Sequence, residues 1–381
     1  MRILIFYASY GGGHLSAARS IKQYLEQHYK NAKVEMVDCM KYINTGIEKM
    51  TTNAYKMMAK EAPWAWGQIY KLSDKGPIYH ISNFNNKVMS IKLNNLFKDF
   101  EPDVVISTHP FSTQMTAWLK QLKRTECVLA SVMTDFAPQN QWLVGHKYID
   151  HIFVSNKDMK QKIVEKDIDK SKIHVTGIPL SNRFLENFDR DSIKKSFDLD
   201  LEKRTILFFG GGEFGLGKNQ TVKILNAFLD NIGNTYQMIV ISGKNEKIQE
   251  RFEKLVKEKG QEKNAHVYGY TNQVPELMAI SDLVVTKPGG LTITESLASG
   301  LPIVAINPIP GQEEENAEFL ENAGVAVWLR KHDDPDDQIA TLLSNPDRLF
   351  EMKVKSKLMA KKNSTKNICK TILKSIEDDK K

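Results

Sequence analysis

A histidine that directly follows three glycines is the first feature of this sequence that could carry out chemistry. The glycines Gly11–Gly13 come after an apolar stretch, Ile3–Ala8, and His14 opens an amphipathic segment. Glycine lets backbone N–H groups approach an oxyanion, and the positive end of a helix favours a neutral imidazole, which can accept a proton. We predict that His14 is a general base and that Gly13 lies beside an anionic ligand. The alternative is that the glycines form only a turn.

A second glycine-rich run, Gly210–Gly217, follows another apolar stretch, Thr205–Phe209. Like the first run, it comes after a strand-like segment and before a helical one. Two such loops predict a diphosphate and an acceptor that meet between two domains. The backbone amides of Gly211 and Gly212 are the predicted diphosphate contacts, and a flexible linker is the alternative.

A third run, Thr286–Ser296, again combines an apolar strand, a glycine turn and the start of a helix. The side chain of Thr292 and the amides of Gly289 and Gly290 suit phosphate. Glu295 lies further along the same predicted helix. Its carboxylate can accept hydrogen bonds from the vicinal hydroxyls of a ribose.

A fourth polar run, Pro308–Asn316, also follows an apolar strand. Gln312 and Glu313 could bind the hydroxyls of a sugar. The alternative is that the acids of this run only begin a helix, where negative charge is stabilising.

Short apolar runs alternate with amphipathic segments twice along the chain, which predicts parallel βαβ units. The expected fold class is therefore α/β, with two doubly wound, Rossmann-like domains facing across a cleft. All four polar runs fall at the carboxyl ends of predicted strands, where open α/β sheets bind ligands. We predict domains at 1–195 and 196–350, then a basic helical tail at 351–381 that crosses back over the domains.

The composition of the chain excludes several classes of protein. The chain has 381 residues, 41% of them hydrophobic and 26% charged, which excludes disorder as its main state. Its three cysteines are far apart and cannot form a disulfide framework or a paired-cysteine metal site, so a reducing cytoplasm fits best. The apolar start, Ile3–Ala8, is too short for a secretion signal.

The net charge of +7 comes from two segments, 41–100 with a net +5 and 351–381 with a net +6, while the rest sums to −4. No basic stripe with base-stacking aromatics crosses the domains, so nucleic acid is not an expected partner. In the first segment, lysines alternate with large apolar side chains, which is typical of a helix at an anionic lipid surface. A buried core is the alternative for the aromatics. The predicted membrane-binding residues are Lys56, Lys60, Trp64, Trp66 and Lys71.

Several phrases occur in order along nearly the whole chain: Gly11–His14 with Ala17 and Ala18, Pro102–Pro110, Thr134–Phe136 with Trp142 and Asp150, Val175–Pro179, Ser242–Asn245 and Lys287–Glu295. Together they resemble the GT-B glycosyltransferases of family 28. Within that family they resemble the branch of monogalactosyldiacylglycerol synthases and bacterial processive diacylglycerol glucosyltransferases. One departure is Lys244, where relatives often have arginine, so that a point charge replaces a bidentate fork.

The resemblance implies transfer of a hexosyl unit from a UDP-sugar to the hydroxyl of diacylglycerol, with inversion at the anomeric carbon. It implies that His14 is the base, with Asp135 and His109 as the other catalytic candidates, either as the base or to orient His14 or bind glycerol. It adds Ser242, Gly243, Lys287 and Pro288 to the donor site. No metal or other cofactor is expected. The first domain would bind diacylglycerol and the second the UDP-sugar, in an enzyme bound peripherally to the inner face of the cell membrane.

Other functions stay open at this stage. One is transfer of N-acetylglucosamine to a prenyl-diphosphate-linked acceptor, as in the peptidoglycan branch of the family, which the Met- and Trp-rich residues 46–75 disfavour. Another is epimerisation of a UDP-sugar, and a third is a regulatory protein that senses UDP-sugars. Glucose is preferred over galactose as the donor sugar. The number of sugars added and the oligomeric state are not predicted.

Overall fold

The structure, a computed structural model, describes residues 1–9, 12–43, 68, 89–210 and 218–378. The chain divides into two compact units. Unit 1 comprises Met1–Asn182, Pro310–Gln312 and Lys361–Lys381, and unit 2 comprises Arg183–Ile309 and Glu313–Ala360. The sequence placed the first division at residue 195 and began the tail at residue 351, whereas the units divide after Asn182 and again after Ala360.

In its described part, unit 1 contains one parallel sheet with the strand order β2-β1-β3-β4-β5-β6. The strands are β1 (Arg2–Tyr7), β2 (Lys33–Asp38), β3 (Val104–Ser107), β4 (Val128–Val132), β5 (His151–Val154) and β6 (Ile173–Val175). The helices between them are α1 (Gly12–His28), α2 (Cys39–Ile43), α3 (Asn94–Phe100), α4 (Pro110–Gln121) and α5 (Lys157–Val164). Short 3-10 turns lie at Ile91–Leu93, Asn140–Leu143, His146–Tyr148, Lys170–Lys172 and Asn182–Leu185.

Unit 2 repeats the design with the order β12-β11-β10-β7-β8-β9, again all parallel among the described residues. Its strands are β7 (Arg204–Phe209), β8 (Tyr236–Ile241), β9 (Ala265–Tyr268), β10 (Leu283–Thr286), β11 (Ile303–Ile306) and β12 (Ala326–Leu329). Its helices are α6 (Arg190–Ser196), α7 (Lys218–Asn231), α8 (Glu246–Glu258), α9 (Val274–Ile280), α10 (Gly290–Ala298), α11 (Gln312–Asn322), α12 (Pro335–Leu343) and α13 (Pro346–Met359).

Both sheets are buried on two faces, which explains why their strands are continuous apolar runs and not alternating ones. In β1, for example, Ile3 and Ile5 pack in one core cluster, while Leu4 and Phe6 pack in another on the opposite face. The predicted α/β class with two doubly wound sheets is confirmed.

The last helix, α14 (Ser364–Asp378), belongs to unit 1 although it follows unit 2 in the chain. Its apolar side chains join the core cluster that contains Ile3 and Ile21. At its first turn the Thr365 hydroxyl accepts a hydrogen bond from the Leu180 amide (2.9 Å) and donates one to the Leu180 carbonyl (2.9 Å). The prediction that a C-terminal helix crosses back is confirmed, and the structure adds that this helix packs on the first sheet.

Each sheet has one point at which the strand order reverses, between β1 and β3 in unit 1 and between β7 and β10 in unit 2. Loops on either side of such a point diverge and leave a crevice at the carboxyl ends of the strands, where open α/β sheets bind ligands. The candidate functional residues in the described part of the chain lie at these strand ends.

Candidate active site

In unit 1, His14 lies at the reversal point, in the first turn of α1 and beside the end of β3. Its Nδ1 is 2.6 Å from the carbonyl oxygen of Thr108, and the Thr108 hydroxyl donates a hydrogen bond to the carbonyl of His14 (2.9 Å). Because a carbonyl can only accept, Nδ1 carries the proton of the neutral ring. Nε2 then keeps its lone pair, and no described residue forms a hydrogen bond with it.

Burial lowers the pKa of His14 to about 4, although its hydrogen bond to the Thr108 carbonyl acts in the opposite direction. The ring is therefore neutral at physiological pH. The ring of His109 lies edge-on to it, with 4.7 Å between centroids. Burial, together with the neighbouring His14, holds the pKa of His109 well below its usual value. The structure thus brings two of the three predicted catalytic residues together as neutral imidazoles.

His109 has a structural task that the sequence did not reveal. It is the N-cap residue of α4, and its Nδ1 accepts a hydrogen bond from the amide of Phe111 (3.3 Å). In the neutral ring, a nitrogen that accepts is unprotonated, so the proton lies on Nε2. His14 and His109 therefore have opposite tautomers. Of these two histidines, only His14 has an unprotonated nitrogen that does not accept a hydrogen bond from the backbone.

Two threonines that sequence reasoning missed hold the His14 ring. Thr108 supplies the carbonyl described above, and the hydroxyl of Thr134 lies 3.1 Å from the same Nδ1. They follow β3 and β4, the two strands next to β1 on that side of the sheet. The available signal was a threonine within two residues of the end of each of two apolar strands.

Asp135, the third predicted catalytic residue, is buried directly after Thr134 at the end of β4. At the other side of β1, Asp38 ends β2 and accepts a hydrogen bond from the hydroxyl of Ser9. The second carboxylate oxygen of Asp38 accepts from the amides of Met40 and Lys41 (both 3.1 Å) and so begins α2. Through Ser9, Asp38 therefore contacts the chain where it enters the glycine run. The described residues of that run, Gly12 and Gly13, lie in the first turn of α1, and Gly13 is half-buried.

In unit 2, Gly289 is the N-cap of α10, and the helix begins at Gly290. The free amides of a helix's first turn, which here also contains the half-buried Thr292, form a positive site for phosphate. Lys287 lies just before this turn. Its ammonium group is 3.2 Å from the Glu313 carboxylate, and both side chains are mostly buried.

Glu313, predicted to bind the donor sugar, uses its carboxylate within the protein. One oxygen pairs with Lys287, and the other accepts a hydrogen bond from the amide of Ile309 (2.7 Å). Asn316, one turn further along α11, donates to the carbonyl of Pro288 (3.1 Å). Glu313 and Asn316 therefore hold the loop after β10 against the start of α11. Gln312, the first residue of α11, is half-buried.

Glu295 differs from Glu313 because no other described residue forms a hydrogen bond or ion pair with its carboxyl group. It lies in α10, and burial raises its pKa to about 8. A carboxylate that has lost water without gaining a partner is stabilised by any ligand that brings hydroxyl donors.

The remaining predicted donor residues follow β8. Ser242 is buried, and its hydroxyl donates to the carbonyl of Tyr268 (3.1 Å). Gly243 has a φ of 71°, a conformation that favours glycine. The ammonium group of Lys244, 4.9 Å from the ring centre of Tyr270, remains exposed. Seven predicted residues lie outside the described part of the chain: Gly211, Gly212, Lys56, Lys60, Trp64, Trp66 and Lys71.

Each unit has one parallel, doubly wound sheet with polar side chains at the point where its strand order reverses. This architecture is that of the two-domain GT-B class. Among solved structures, MurG of Acinetobacter baumannii has this fold (TM-score 0.68, 15% identity, 98% of this chain and 99% of that one). HepE of Anabaena, solved with UDP and glucose, has it as well (TM-score 0.58, 13% identity, 99% of this chain and 100% of that one).

The sequence comparisons are more specific. Residues 14–180 match the monogalactosyldiacylglycerol (MGDG) synthase family, and residues 205–371 match the C-terminal domain of glycosyltransferase family 28. The processive diacylglycerol β-glucosyltransferase of Bacillus subtilis is 31% identical over 99% of this chain and 96% of its own length. The chain therefore belongs to the family of processive diacylglycerol β-glucosyltransferases, within glycosyltransferase family 28.

Two negative findings hold for the described residues. No helix there is long and apolar enough to cross a membrane. In the same part of the chain, no three His, Cys, Asp or Glu side chains are grouped as metal ligands.

Proposed function

We propose that this protein transfers glucose from UDP-glucose to the free hydroxyl of diacylglycerol, with inversion at the anomeric carbon. The observation that carries this proposal is the tautomer of His14, in which Nδ1–H donates to the Thr108 carbonyl and Nε2 is left as the acceptor. The Bacillus subtilis relative, a processive diacylglycerol β-glucosyltransferase, supports the acceptor and the sugar. HepE, a protein of the same fold solved with UDP and glucose, supports the donor.

In the proposed reaction, Nε2 of His14 takes the proton of the diacylglycerol hydroxyl while its oxygen attacks the anomeric carbon. The bond from that carbon to the diphosphate oxygen breaks, and UDP leaves with the electron pair. A single displacement from the opposite face inverts the configuration. Base catalysis of this kind contributes about 10²–10⁴-fold to the rate.

The donor half of the proposal uses the start of α10. The amides of Gly289 and Gly290, with Thr292, would stabilise the charge that develops on the diphosphate, as helix N-termini do. Lys287, held in place by Glu313, adds a positive charge beside them. Glu295 would accept the ribose hydroxyls. Gly211 and Gly212 complete the proposed diphosphate contacts, and no metal ion is assigned a role.

The acceptor is insoluble in water, so we propose that the enzyme works at the anionic inner face of the cell membrane. The positive charge of residues 41–100 and 351–381 supports this location, since each lysine near an anionic surface adds to the attraction.

The test is transfer of label from UDP-[14C]glucose to chloroform-soluble product with diacylglycerol as acceptor. We expect His14→Ala to lower kcat by about two to four orders of magnitude while UDP still binds. The control is His28→Ala, an exposed histidine at the other end of the same helix. Equal turnover in His14→Ala would remove this residue from the mechanism. Label that enters lipid only with a prenyl-diphosphate-linked acceptor would overturn the proposed function.

A further inference from the structure

The outer face of α13 carries an aligned row of exposed apolar side chains. Phe350, Val354 and Leu358 are 66%, 40% and 79% exposed. They are spaced four residues apart, so they lie next to one another along one side of the helix, over about 12 Å. We call these three residues the α13 stripe.

The other side of α13 fixes the helix to unit 2. Leu349 and Met352 lie in the core of that unit, and the buried Ser356 hydroxyl donates to the Leu301 carbonyl (2.9 Å). The exposure of the stripe is therefore not the fraying of a loose helix. An ordered helix presents its apolar side chains to water, and such surfaces mark interaction sites.

Basic side chains border the stripe. Lys353 and Lys357 lie along one side of it, and residues 346–362 contain six basic and two acidic side chains, a net charge of +4. The stem of Lys357 passes so close over Gly300 that a Cβ there would lie 2.8 Å from its Cγ. The ammonium group of Lys353 forms an ion pair with a carboxylate oxygen of Asp282, 3.9 Å away. Of the two acids, Asp347 lies in the first turn of the helix. Glu351 comes one turn before Val354 and borders the stripe on the side opposite Lys353 and Lys357.

We propose that the α13 stripe docks on an anionic lipid bilayer. The three apolar side chains would enter the boundary between headgroups and acyl chains, and Lys353 and Lys357 would pair with lipid phosphates. An ordered apolar row with cations beside it is the pattern of a helix that lies in a lipid interface. A row of three side chains is too narrow for a stable protein interface, which needs roughly 800 Å² from each partner. The net positive charge selects an anionic surface over a neutral one.

This inference rests on the proposed function, in which the acceptor diacylglycerol is drawn from a membrane. It deepens that function by naming a further surface of the protein that binds the membrane. It adds a lipid contact on unit 2, the unit with the proposed donor site. The membrane-binding residues predicted from the sequence, which include Trp64 and Trp66, all lie in residues 41–100. The charge of residues 351–381, which include part of α13, supports an anionic surface, but no apolar residue of α13 was among the predicted contacts.

The test is flotation of the full chain with vesicles of phosphatidylcholine alone or mixed equally with phosphatidylglycerol. We expect binding to the mixed vesicles only. The triple variant Phe350→Ser, Val354→Ser and Leu358→Ser should bind at least about tenfold more weakly, because three apolar side chains no longer leave water. The control Leu122→Ser changes a single exposed leucine of unit 1 and should bind as the wild type does.

A second pair of changes tests the charges. Lys353→Gln with Lys357→Gln keeps the aliphatic stems and removes both charges. We expect it to weaken binding about fivefold for each lysine at low salt, and to make binding less sensitive to salt.

A direct readout uses Leu358→Cys labelled with a polarity-sensitive dye. The native cysteines, Cys39, Cys127 and Cys369, are buried and their thiol pKa values are raised to about 11 or 12, so labelling should be selective. We expect the dye emission to shift to the blue with mixed vesicles. No shift, or equal binding by the triple variant, overturns the proposal. A wild type that sediments as a dimer and a triple variant that sediments as a monomer, with equal flotation, would assign the stripe to a second copy instead.

Transfer to a soluble short-chain diacylglycerol separates this proposal from the function. The triple variant should match the wild type in that assay. If the wild type itself makes no glycolipid, the proposed function fails, while flotation still decides whether the stripe binds lipid.

Discussion

At the scale of single residues, Glu295 links donor binding to pH. Its pKa of about 8 in the free protein means that the carboxyl group is mostly protonated at neutral pH. Ribose hydroxyls donate to the ionised form, so binding must release a proton. We predict that the Kd for UDP-glucose falls as the pH rises towards 8, by at most about tenfold per pH unit, and is level above it. Calorimetric titration at several pH values measures this.

The matched variant for that prediction is Glu295→Gln, which keeps the shape of the side chain and cannot ionise. Its affinity for UDP-glucose should be weaker at high pH and nearly independent of pH. The sugar nucleotide has no ionising phosphate in this range, so it adds no slope of its own. A variant with the same pH dependence as the wild type would show that another group is responsible.

The sequence predicted His14 from a local pattern, because a glycine run before a helix is visible within a few residues. It did not predict Thr108, whose carbonyl sets the tautomer of His14, or Thr134, whose hydroxyl lies beside the same nitrogen. Thr108 and Thr134 are 94 and 120 residues away along the chain. They reach the ring only because β3 and β4 follow β1 in the sheet, and strand order depends on tertiary packing.

At the scale of the elements, substitutions of His109 distinguish its role as a helix cap from a catalytic role. Its Nδ1 caps α4, and asparagine is among the best residues at that position. We predict that His109→Asn keeps thermal stability and most of the transfer activity. His109→Ala, which leaves the Phe111 amide without its acceptor, should lose about 0.5–2 kcal/mol of stability. The measurements are thermal unfolding and kcat of both variants.

The opposite pattern, a stable His109→Asn that has lost its activity, would give His109 a catalytic task beyond the cap. The comparison works because asparagine replaces the hydrogen-bond acceptor and not the imidazole.

The helices and strands could be predicted from the sequence more readily than their assignment to the two units. The sequence predicted a domain boundary at residue 195, but α6 lies there and belongs to unit 2. Arg190 donates to the carbonyls of Ala279 and Ile280 and lies 3.6 Å from Asp282, which ties α6 to the end of α9. These contacts are about 90 residues apart in the chain, so local composition could not indicate them.

At the scale of the whole molecule, the end of the chain is part of the first core. α14 contributes Ile368, Cys369 and Ile372 to the cluster formed by β1 and α1. The sequence could predict that a helix with apolar positions and no local partner must pack elsewhere. It could not predict which sheet face that helix covers, since both sheets have two apolar faces.

We therefore predict that Ile372→Ala destabilises unit 1 selectively. Ile372 is 1% exposed, and truncation of a buried isoleucine to alanine costs about 2–5 kcal/mol. The neighbouring Cys369 reports the same event, because its thiol reacts only when α14 leaves the sheet. Calorimetry should show the transition of unit 1 at a lower temperature, and Cys369 should be alkylated faster under native conditions. Lys374→Ala, an exposed position of the same helix, should change neither measurement. Equal destabilisation of both units would contradict the assignment of α14 to unit 1 alone.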